Sequence, residues 1–397
     1  MNKLSLSDID PAGRRIFMRV DFNVPMKDGA ITDDARIQAA LPSIRYVLEK
    51  GGRLILASHL GRPKGKPSSK YSLKPVARRL AELLGRPVEF APDCVGRAVE
   101  KMVQALGGGE VVLLENLRFH PEEEANDAGF AKQLAAVADV YVDDAFGAAH
   151  RAHASTAGVT AFLKPAVAGF LMQKEIEALS RALTGAERPY VAIVGGAKVS
   201  DKIELIENFL NLADHILIGG AMAYTFLLAK GVSAGRSLVE TDKVELAKGL
   251  LAQSAQKGIL IELPVDHLVA ASMDSMVPRI VRVDQTPPDQ MGLDIGPETI
   301  RIYQQIIMRA RTVVWNGPMG VFENPKFAQG TFAIAHAIAA STAFSIVGGG
   351  DSAAAVAQAG VESQVSHVST GGGAALEFLS GRKLPGIEAL TDKKEGR

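Results

Sequence analysis

Glycine-rich segments recur in the second half of the sequence, each directly after a short apolar run. They span residues 195–202, 219–221, 316–320, 348–352 and 370–374. Glycine between a strand and a helix lets backbone N–H groups approach a phosphate, and the helix dipole favours the anion there. A single segment of this kind has a purely conformational explanation. Five in one half of the chain indicate a phosphate-binding region.

Charged residues in these segments indicate what kind of phosphate ligand the second half binds. The spacing predicts a helix over 199–212 that brings Lys198 and Lys202, four residues apart, to face the same phosphates. Asp351 beside a glycine turn is unsuited to a bare phosphate, but it suits one that carries Mg²⁺. The second half therefore predicts a site for a magnesium-bound phosphate compound.

The first half carries a different set of polar residues after its apolar runs. Arginine binds phosphate and carboxylate bidentately, so such residues together predict a small, doubly anionic ligand. Taken singly, each arginine or histidine is as well explained as a solvated side chain. Asp143 and Asp144 could hold a metal, but capping of the following loop is the favoured interpretation. These polar residues lie in the segments 21–25, 58–65, 116–120, 143–147 and 150–153, and Arg36 opens the helix that follows the first segment.

These residues must be positioned by the elements around them. Val- and Ile-rich runs alternate with helical patterns along the whole chain, which predicts an α/β fold with parallel sheets covered by helices. Ligands of such sheets bind beyond the carboxyl ends of the strands, where the polar residues fall.

An amphipathic helix is predicted over 169–185, because Met172, Ile176, Leu179 and Leu183 recur on one helical face. An ordinary surface helix is the alternative to a connector. We expect two doubly wound, Rossmann-like parallel-sheet domains with a cleft between them. The first domain, over 1–168, would bind the anionic ligand, and the second, over 186–379, would bind the nucleotide. Residues 169–185 would form a connector or hinge between them, and a tail over 380–397 would return to the first domain.

Composition limits the classes of function. The chain has 397 residues, 47% hydrophobic and 22% charged, with a formal net charge of zero, so no global field attracts nucleic acid or a membrane surface. The N-terminus lacks an apolar signal segment, and the apolar stretch 159–172 is interrupted by Lys164 and Pro165. The one cysteine, Cys94, cannot form an internal disulfide and is interpreted as packing rather than as a nucleophile. These features predict a cytoplasmic protein.

Two other phosphate-binding motifs match the sequence incompletely or conflict with its charged residues. Residues 60–67 miss the Walker A pattern at its first glycine and its hydroxyl position. Residues 348–353 satisfy the dinucleotide pattern, but Asp351 would repel a pyrophosphate and no acidic ribose partner follows the next strand. A dehydrogenase is therefore the weaker hypothesis. A two-lobed solute-binding protein, which is not an enzyme, would share the cleft but would normally carry an export signal.

The sequence resembles the phosphoglycerate kinase family, in its bacterial form, over nearly its whole length. Eight segments occur in the family's order, at 19–25, 58–65, 115–119, 150–156, 195–202, 315–323, 348–352 and 369–374. The resemblance implies reversible, in-line phosphoryl transfer between 1,3-bisphosphoglycerate with ADP and 3-phosphoglycerate with ATP, in glycolysis and gluconeogenesis. It also implies a monomer, Mg²⁺ with the nucleotide, and hinge closure in which Thr391 near Glu175 takes part.

The same resemblance implies roles for individual residues. The residues that would hold 3-phosphoglycerate are Asp21, Asn23, Arg36, His59, Arg62, Arg118 and Arg151. The histidines of the first half, His59 among them, would serve as positive or hydrogen-bonding groups. Arg36, Lys198, Gly371 and Gly372 would stabilise the phosphoryl group in transfer, and Asp351 would hold Mg²⁺. The nucleotide would contact Lys202, Gly219, Gly220, Gly292, Asn316, Glu323, Gly349, Gly350, Asp351 and Ser352. Ala221, where a third glycine is common, would slightly reshape the adenine wall.

Overall fold

The structure, a computed structural model, describes residues 2–393. The described residues form two compact units. The first takes in the residues up to Glu177 together with those from Lys383 onward, and the second is Ala178–Arg382. The helix expected over 169–185 is present as Phe170–Thr184, and the boundary between the units falls within it.

The first unit alternates strands and helices as the sequence predicts. Its elements are β1 (Arg15–Val20), β2 (Met26–Lys27), β3 (Ala30–Ile31), α1 (Ala35–Glu49), β4 (Arg53–Ala57), α2 (Lys74–Leu84), β5 (Glu89–Phe90), α3 (Arg97–Ala105), β6 (Val111–Leu113), α4 (Pro121–Glu124), α5 (Ala128–Ala136), β7 (Val140–Asp144), β8 (Ala166–Ala168) and the start of α6 (Phe170–Thr184).

Six of these strands form one parallel sheet in the order β5-β6-β4-β1-β7-β8. The central strands β1 and β7 are buried along almost their whole length, because helices cover both faces and apolar side chains are needed on each. Strand order reverses beside β1, so the carboxyl ends of β1, β4 and β7 border the crevice where ligands of such sheets bind. The short pair β2 and β3 forms an antiparallel ribbon.

The described part of the tail packs on this unit. Helix α14 (Pro385–Glu388) lies in it, and the Thr391 N–H donates to the Ala166 carbonyl oxygen at 2.8 Å. The Leu4 N–H in turn donates to the Thr391 carbonyl oxygen. The last four residues of the predicted tail lie outside the described residues.

The second unit has the larger set of elements. They are β9 (Tyr190–Val194), α7 (Ile203–Leu212), β10 (His215–Ile218), α8 (Met222–Ala229), α9 (Val244–Lys257), β11 (Leu260–Glu262), β12 (Asp266–Ala270), β13 (Arg279–Arg282), β14 (Met291–Ile295), α10 (Pro297–Ile307), β15 (Thr312–Asn316), α11 (Gln329–Ala340), β16 (Phe344–Gly348), α12 (Gly350–Gln358), β17 (His367–Val368) and α13 (Gly373–Leu379).

Its main sheet is also parallel, in the order β11-β10-β9-β15-β16-β17. The central strands β9 and β15 are fully buried, and Trp315 on β15 lies in the core that they share with α10 and α11. The α/β class and the doubly wound parallel sheets are confirmed. Among residues 2–393, the helices are too short or too polar to cross a lipid bilayer.

One part of the second unit differs from the prediction of parallel sheets alone. Strands β13, β12 and β14 form a separate antiparallel sheet. Two of them, β12 and β14, were missed at the sequence level, because Asp266, Gly292 and Asp294 interrupt their apolar pattern. The two aspartates accept backbone hydrogen bonds inside the fold. Gly292 leaves room for the Tyr224 hydroxyl.

Candidate active site

The carboxyl edge of the first sheet carries a buried arginine that the sequence analysis did not select. Arg19 lies within β1 and is 1% exposed. Its guanidinium donates to Ser155 Oγ at 2.8 Å and to His59 Nδ1 at 3.1 Å. Because arginine has donors only, His59 Nδ1 must accept, which leaves the proton on Nε2. The sequence feature that could have identified Arg19 is a charged residue inside an otherwise apolar strand.

His59 is therefore a neutral hydrogen-bond donor. Burial holds the pKa of its imidazole well below its usual range, and the positive charges of Arg19, Arg118 and Arg36 add to this effect. Burial and neighbouring arginines likewise lower the pKa of His153 to about 4. The lowered pKa opposes the positive role expected for His59, and its hydrogen bond to a ligand stays a prediction.

Arg36, at the start of α1, forms an ion pair with Asp21, the residue that follows β1. Gly147 leaves the room for this pair, since a Cβ there would lie 2.5 Å from Asp21 Oδ2. The Arg36 side chain remains about one third exposed. Asp21 thus holds a cation that can still reach a ligand.

The loops after β1, β4 and β6 are joined by hydrogen bonds. The Gly61 N–H donates to Asn23 Oδ1 at 2.9 Å, and Arg118 Nη1 donates to the Gly61 carbonyl oxygen at 2.8 Å. Burial lowers the pKa of the Arg118 guanidinium. Arg62 follows Gly61 and is exposed. The structure therefore brings Asn23, Gly61 and Arg118 together at one edge.

A buried carboxylate supports the same edge. Glu123 on α4 is fully buried and accepts from the Ser155 N–H and from Ser155 Oγ. Burial raises its pKa, while the charge of Arg19 opposes that rise. Arg151 lies in the same loop as Ser155 and donates from Nε to His150 Nε2 at 3.1 Å. Glu123 and Ser155 were missed, because neither residue type stands out in a polar loop.

Asp143 and Asp144 cap the segments that follow β7, as favoured over a metal site. Asp143 Oδ1 accepts from the Ala145 N–H at 3.0 Å. Asp144 Oδ1 accepts from the N–H groups of Leu171 and Met172 and so caps the first turn of α6. Burial raises the pKa of Asp143 to about 7 and that of Asp144 to about 6.

The second unit contains a cavity of about 330 Å³ at the carboxyl edge of its main sheet. It is bordered by the antiparallel sheet and by the glycine segments that follow β9, β10 and β15. Four of the predicted nucleotide-binding residues line it, Gly220, Gly292, Glu323 and Asp351. The wall between them is mostly apolar, which suits the flat face of a base.

Glycine is required at two positions of this cavity. A Cβ on Gly292 would lie 1.7 Å from Tyr224 Oη, whose hydroxyl is 2.8 Å from His267 Nδ1. A Cβ on Gly219 would lie 2.4 Å from Met319 Sδ. Gly219 therefore packs beneath the cavity rather than lining it. Ala221 lines the cavity.

Asp294, at the floor of the cavity, was not selected from the sequence. It is 2% exposed and accepts from the N–H groups of Ile295 and Gly330. Burial raises its pKa to about 8. Gly320 and Gly330 both lie so close that a Cβ would contact Asp294 Oδ1 within 2.4 Å. Asp294 thus ties β14 to the start of α11.

Lys202 and Asn316 form the polar side of the second site. Lys202 Nζ donates to Asn316 Oδ1, and Asn316 Nδ2 donates to the Gly348 carbonyl oxygen. Burial lowers the pKa of Lys202. Ser352 Oγ accepts from the Gly317 N–H at 2.6 Å. Gly349 and Gly350 lie at the N-terminus of α12, and Gly349 has a φ of +93°.

The prediction that Lys198 and Lys202 share a helix is wrong. Helix α7 begins at Ile203, and both lysines lie in the loop before it. Glu240 accounts for the difference, since its carboxylate accepts from the N–H and the hydroxyl of Ser200. These bonds hold the segment in a turn that competes with the helix. Lys198 is exposed, whereas Lys202 is half-buried.

The last glycine segment precedes α13. Gly372 has a φ of +52°, which favours glycine. The Gly371 N–H donates to Ser369 Oγ at 3.1 Å. Donation from Gly371 to a phosphoryl group, as the resemblance implies, requires this N–H to leave Ser369.

The donor set at the cavity fits Mg²⁺. Asp351 is an exposed carboxylate in the first turn of α12, and it lines the cavity beside the glycine segments. Magnesium in kinases is commonly held by one or two carboxylates together with substrate phosphates and waters. A single carboxylate at a phosphate-binding helix terminus matches that chemistry.

Comparison with known proteins identifies the family. The profile of the phosphoglycerate kinase family matches residues 6–382. The chain is 59% identical over 394 residues to the phosphoglycerate kinase of Moorella thermoacetica, covering 99% of this chain and 100% of the relative. It is 56% identical over 396 residues to that of Chloroherpeton thalassium, with the same coverage.

Solved structures agree with this assignment. Phosphoglycerate kinase from Coxiella burnetii superimposes with a TM-score of 0.90 at 44% identity, and the enzyme from Pyrococcus horikoshii with 0.85 at 39%. Each alignment covers 98% of both chains. Together with the paired arginine and glycine sites described above, these matches show that the chain belongs to the phosphoglycerate kinase family.

Proposed function

We propose that the two sites, one in each unit, bind the two substrates of the family's reaction. As a family member the chain is a phosphotransferase with a carboxyl acceptor, and its substrates are a phosphoglycerate and ATP or ADP. The observation that carries the assignment of residues is the group of arginines around a neutral His59 at one sheet edge. Such a group matches an acceptor with both a phosphate and a carboxylate.

The first site holds 3-phosphoglycerate. Arg62, Arg118 and Arg151 supply positive charge for its two anionic groups, and His59 donates from Nε2. Asn23 offers a polar side chain beside them, and the remaining carboxylate oxygen of Asp21 can accept from the substrate hydroxyl. The acceptor carboxylate is ionised at neutral pH, so its attack on phosphorus requires no general base.

The second site holds the nucleotide. The base occupies the apolar cavity beside Gly292, with Gly219 and Gly220 behind it, and Glu323 accepts from the ribose hydroxyls. Lys202, held by Asn316, contacts the phosphates together with the N–H groups of Gly349, Gly350 and Ser352. Asp351 holds Mg²⁺, which when bound neutralises phosphate charge.

Catalysis consists of aligning the substrates and stabilising spread negative charge. Arg36 approaches the phosphoryl group from the acceptor side, and Lys198 approaches it from the nucleotide side. The exposure of Lys198 suits a residue that follows a moving group. The backbone N–H groups of Gly371 and Gly372 complete the positive surroundings.

Donor and acceptor bind to different units, so transfer requires closure of the molecule. We place the hinge in Phe170–Thr184, where the unit boundary falls. We propose that Thr391, which is hydrogen-bonded to Ala166 on β8, and Glu175, which is buried on α6, take part in this closure. We further propose that the protein acts as a monomer in the cytoplasm.

The test is an assay of the purified full chain with 3-phosphoglycerate, ATP and Mg²⁺, which follows ADP through coupling enzymes. Turnover is expected only when acceptor, nucleotide and metal are all present, so omission of the acceptor and addition of EDTA are the controls. ATP binding without turnover would count against the acceptor site. ADP release that persists without acceptor would replace the proposal by hydrolysis.

A further inference from the structure

Three side chains of different metal-binding types meet in the first unit, and none of them is among the substrate-binding residues assigned above. Asp93 and Cys94 follow β5, and His120 precedes α4. One carboxylate oxygen, the thiol sulfur and one imidazole nitrogen lie within 4.8 Å of one another. We propose that these residues bind Zn²⁺ or a similar borderline-soft divalent cation.

The geometry is close to that of a zinc site with an open position. His120 Nε2 is 2.5 Å from Asp93 Oδ1. Ligand atoms of tetrahedral zinc stand roughly 3–4 Å apart, given Zn–N and Zn–O distances of about 2.0–2.2 Å and Zn–S of about 2.3 Å. An entering ion replaces this direct contact after a shift of about 1 Å, within side-chain rotation. Three protein ligands leave the fourth position for water.

A route for the ion is present. A groove of about 490 Å³ runs over the cluster and is lined by Asp93, His120, Ser72 and Pro92. The Asp93 side chain is 50% exposed and that of His120 is 26% exposed, while Cys94 is only 1% exposed. An ion in the groove therefore meets the carboxylate and the imidazole first. It reaches the sulfur last, because Cys94 is buried and does not line the groove.

The surroundings define what binding must change. Cys94 Sγ is 2.9 Å from the carbonyl oxygen of Glu115, to which its S–H donates. Zinc binding releases that thiol proton to solvent and forms a Zn–S bond in its place. The His120 ring stacks on Phe130, with centroids 4.9 Å apart, which keeps the imidazole oriented toward Asp93.

The ligand set separates this site from the magnesium site. Thiolate and imidazole ligands favour zinc and related metals, whereas Mg²⁺ prefers oxygen ligands throughout. The two sets also belong to different units, since Asp351 lies in Ala178–Arg382. A bound ion would tie the loop after β5 to the segment that carries Arg118, two residues before His120.

The test uses metal-free full-length protein titrated with Co²⁺, in the absence of nucleotide. Cys94 is the single cysteine of the chain, so a thiolate-to-cobalt charge-transfer band reports on this site alone. We expect saturation at one cobalt per chain and loss of the band on addition of Zn²⁺. Cys94→Ser should abolish the band, and His120→Asn and Asp93→Asn should each weaken cobalt binding about tenfold or more.

The matched control is His336→Asn, which changes an exposed histidine on α11 and should leave the titration unchanged. Circular dichroism of each variant checks that it is folded. Absence of the band in the unaltered protein would overturn the proposal. So would a band whose affinity is unchanged by both His120→Asn and Asp93→Asn, and these two variants decide the matter even where Cys94→Ser does not fold.

Discussion

Arg19 shapes the first site through its neighbours and is not itself one of the residues assigned to bind the substrate. It is buried, it fixes the tautomer of His59 by donating to Nδ1, and it donates to Ser155, whose own hydroxyl donates to Glu123. The hydroxyl of Ser155 thus links the positive charge of Arg19 to the buried carboxylate of Glu123. The result is a neutral histidine that presents an N–H donor to an anion.

Arg36 is the residue whose loss should affect turnover most. It is held by Asp21 and keeps about one third of its side chain exposed. We expect Arg36→Ala to lower kcat about 10³-fold, as for arginines that stabilise phosphoryl transfer elsewhere, with little change in ATP affinity. The measurement is steady-state kinetics together with calorimetry of ATP binding.

Arg45→Ala is the matched control, because Arg45 lies exposed on the same helix α1. It should leave kcat within a factor of about two, as surface substitutions usually do. Wild-type turnover in Arg36→Ala would remove this residue from the transfer step. A parallel loss of ATP affinity would indicate a general disturbance of the protein instead.

At the scale of elements, β7 ends in two buried carboxyl groups, and one of them caps the first turn of α6. Asp144 accepts from two N–H groups of that turn, and the Phe170 N–H donates to Ser43 Oγ on α1. Gly169 lies directly against this cap, since a Cβ there would be 2.2 Å from Asp144 Oδ1. The entry of the chain into α6 is therefore set by a carboxylate and a glycine together.

Gly169→Ala should destabilise the first unit. The added methyl group would push the Asp144 carboxylate away from the helix terminus, and crowding of this kind costs about 1–3 kcal/mol. Urea unfolding followed by circular dichroism measures the change. Gly249→Ala is the control, because Gly249 lies within α9 with open space at its Cβ. It should stabilise by up to about 1 kcal/mol. Equal stability of the two variants would contradict the packing argument.

The two carboxyls also predict how stability depends on pH. The pKa of Asp143 is raised from 3.8 to about 7 and that of Asp144 to about 6. The folded chain therefore keeps protons that the unfolded chain has released, so the free energy of unfolding falls as pH rises from 3.8 through about 7. Below 3.8 this contribution is fully present.

The measurement is a series of urea unfolding curves in buffers from pH 3.8 to about pH 7, the range over which Asp143 is expected to act. Asp143→Asn is neutral at every pH and keeps an oxygen that accepts from the Ala145 N–H. It should flatten the fall in stability over this range. Gln133→Glu, which adds a carboxyl at an exposed position of α5, should leave the slope unchanged. A variant Asp143→Asn with the slope of the unaltered chain would contradict the assignment.

Sequence patterns predicted the elements better than the contacts between them. The parallel sheets follow from runs that are apolar on both faces, and the placement of Asp21, His59 and Arg118 at one edge follows from strand direction. The helix start before Ile203 could not be predicted, because it depends on Glu240, which is distant in sequence. Nor could the antiparallel sheet, whose polar residues are satisfied only by tertiary partners.

At the scale of the whole molecule, the chain is not divided between its units at a single point. It leaves the first unit within α6, forms the second, and returns at Lys383. The returning segment buries Leu384, Ile387 and Leu390. It also pairs Lys3 with Asp392. The first unit is thus completed by residues made last, whereas the second is continuous in sequence.

Truncation after Arg382 should therefore impair one unit and spare the other. Burial of each large apolar side chain contributes roughly 1.5–3 kcal/mol, so losing three of them removes a large share of the stability of a domain. We expect the truncated chain to lose 3-phosphoglycerate binding and the unfolding transition of the first unit. Calorimetry should still detect ATP binding with near-normal affinity, because every residue that lines the nucleotide cavity lies within Ala178–Arg382.

The matched control removes only residues 394–397 and keeps Leu384, Ile387 and Leu390, so it should retain both binding activities. The two units are expected to respond differently because each has its own sheet and core, and the returning segment packs on one of them. Loss of ATP binding along with 3-phosphoglycerate binding would mean that the second unit cannot fold without a complete first unit. Retention of both would mean that the buried leucines and Ile387 contribute far less than their burial indicates.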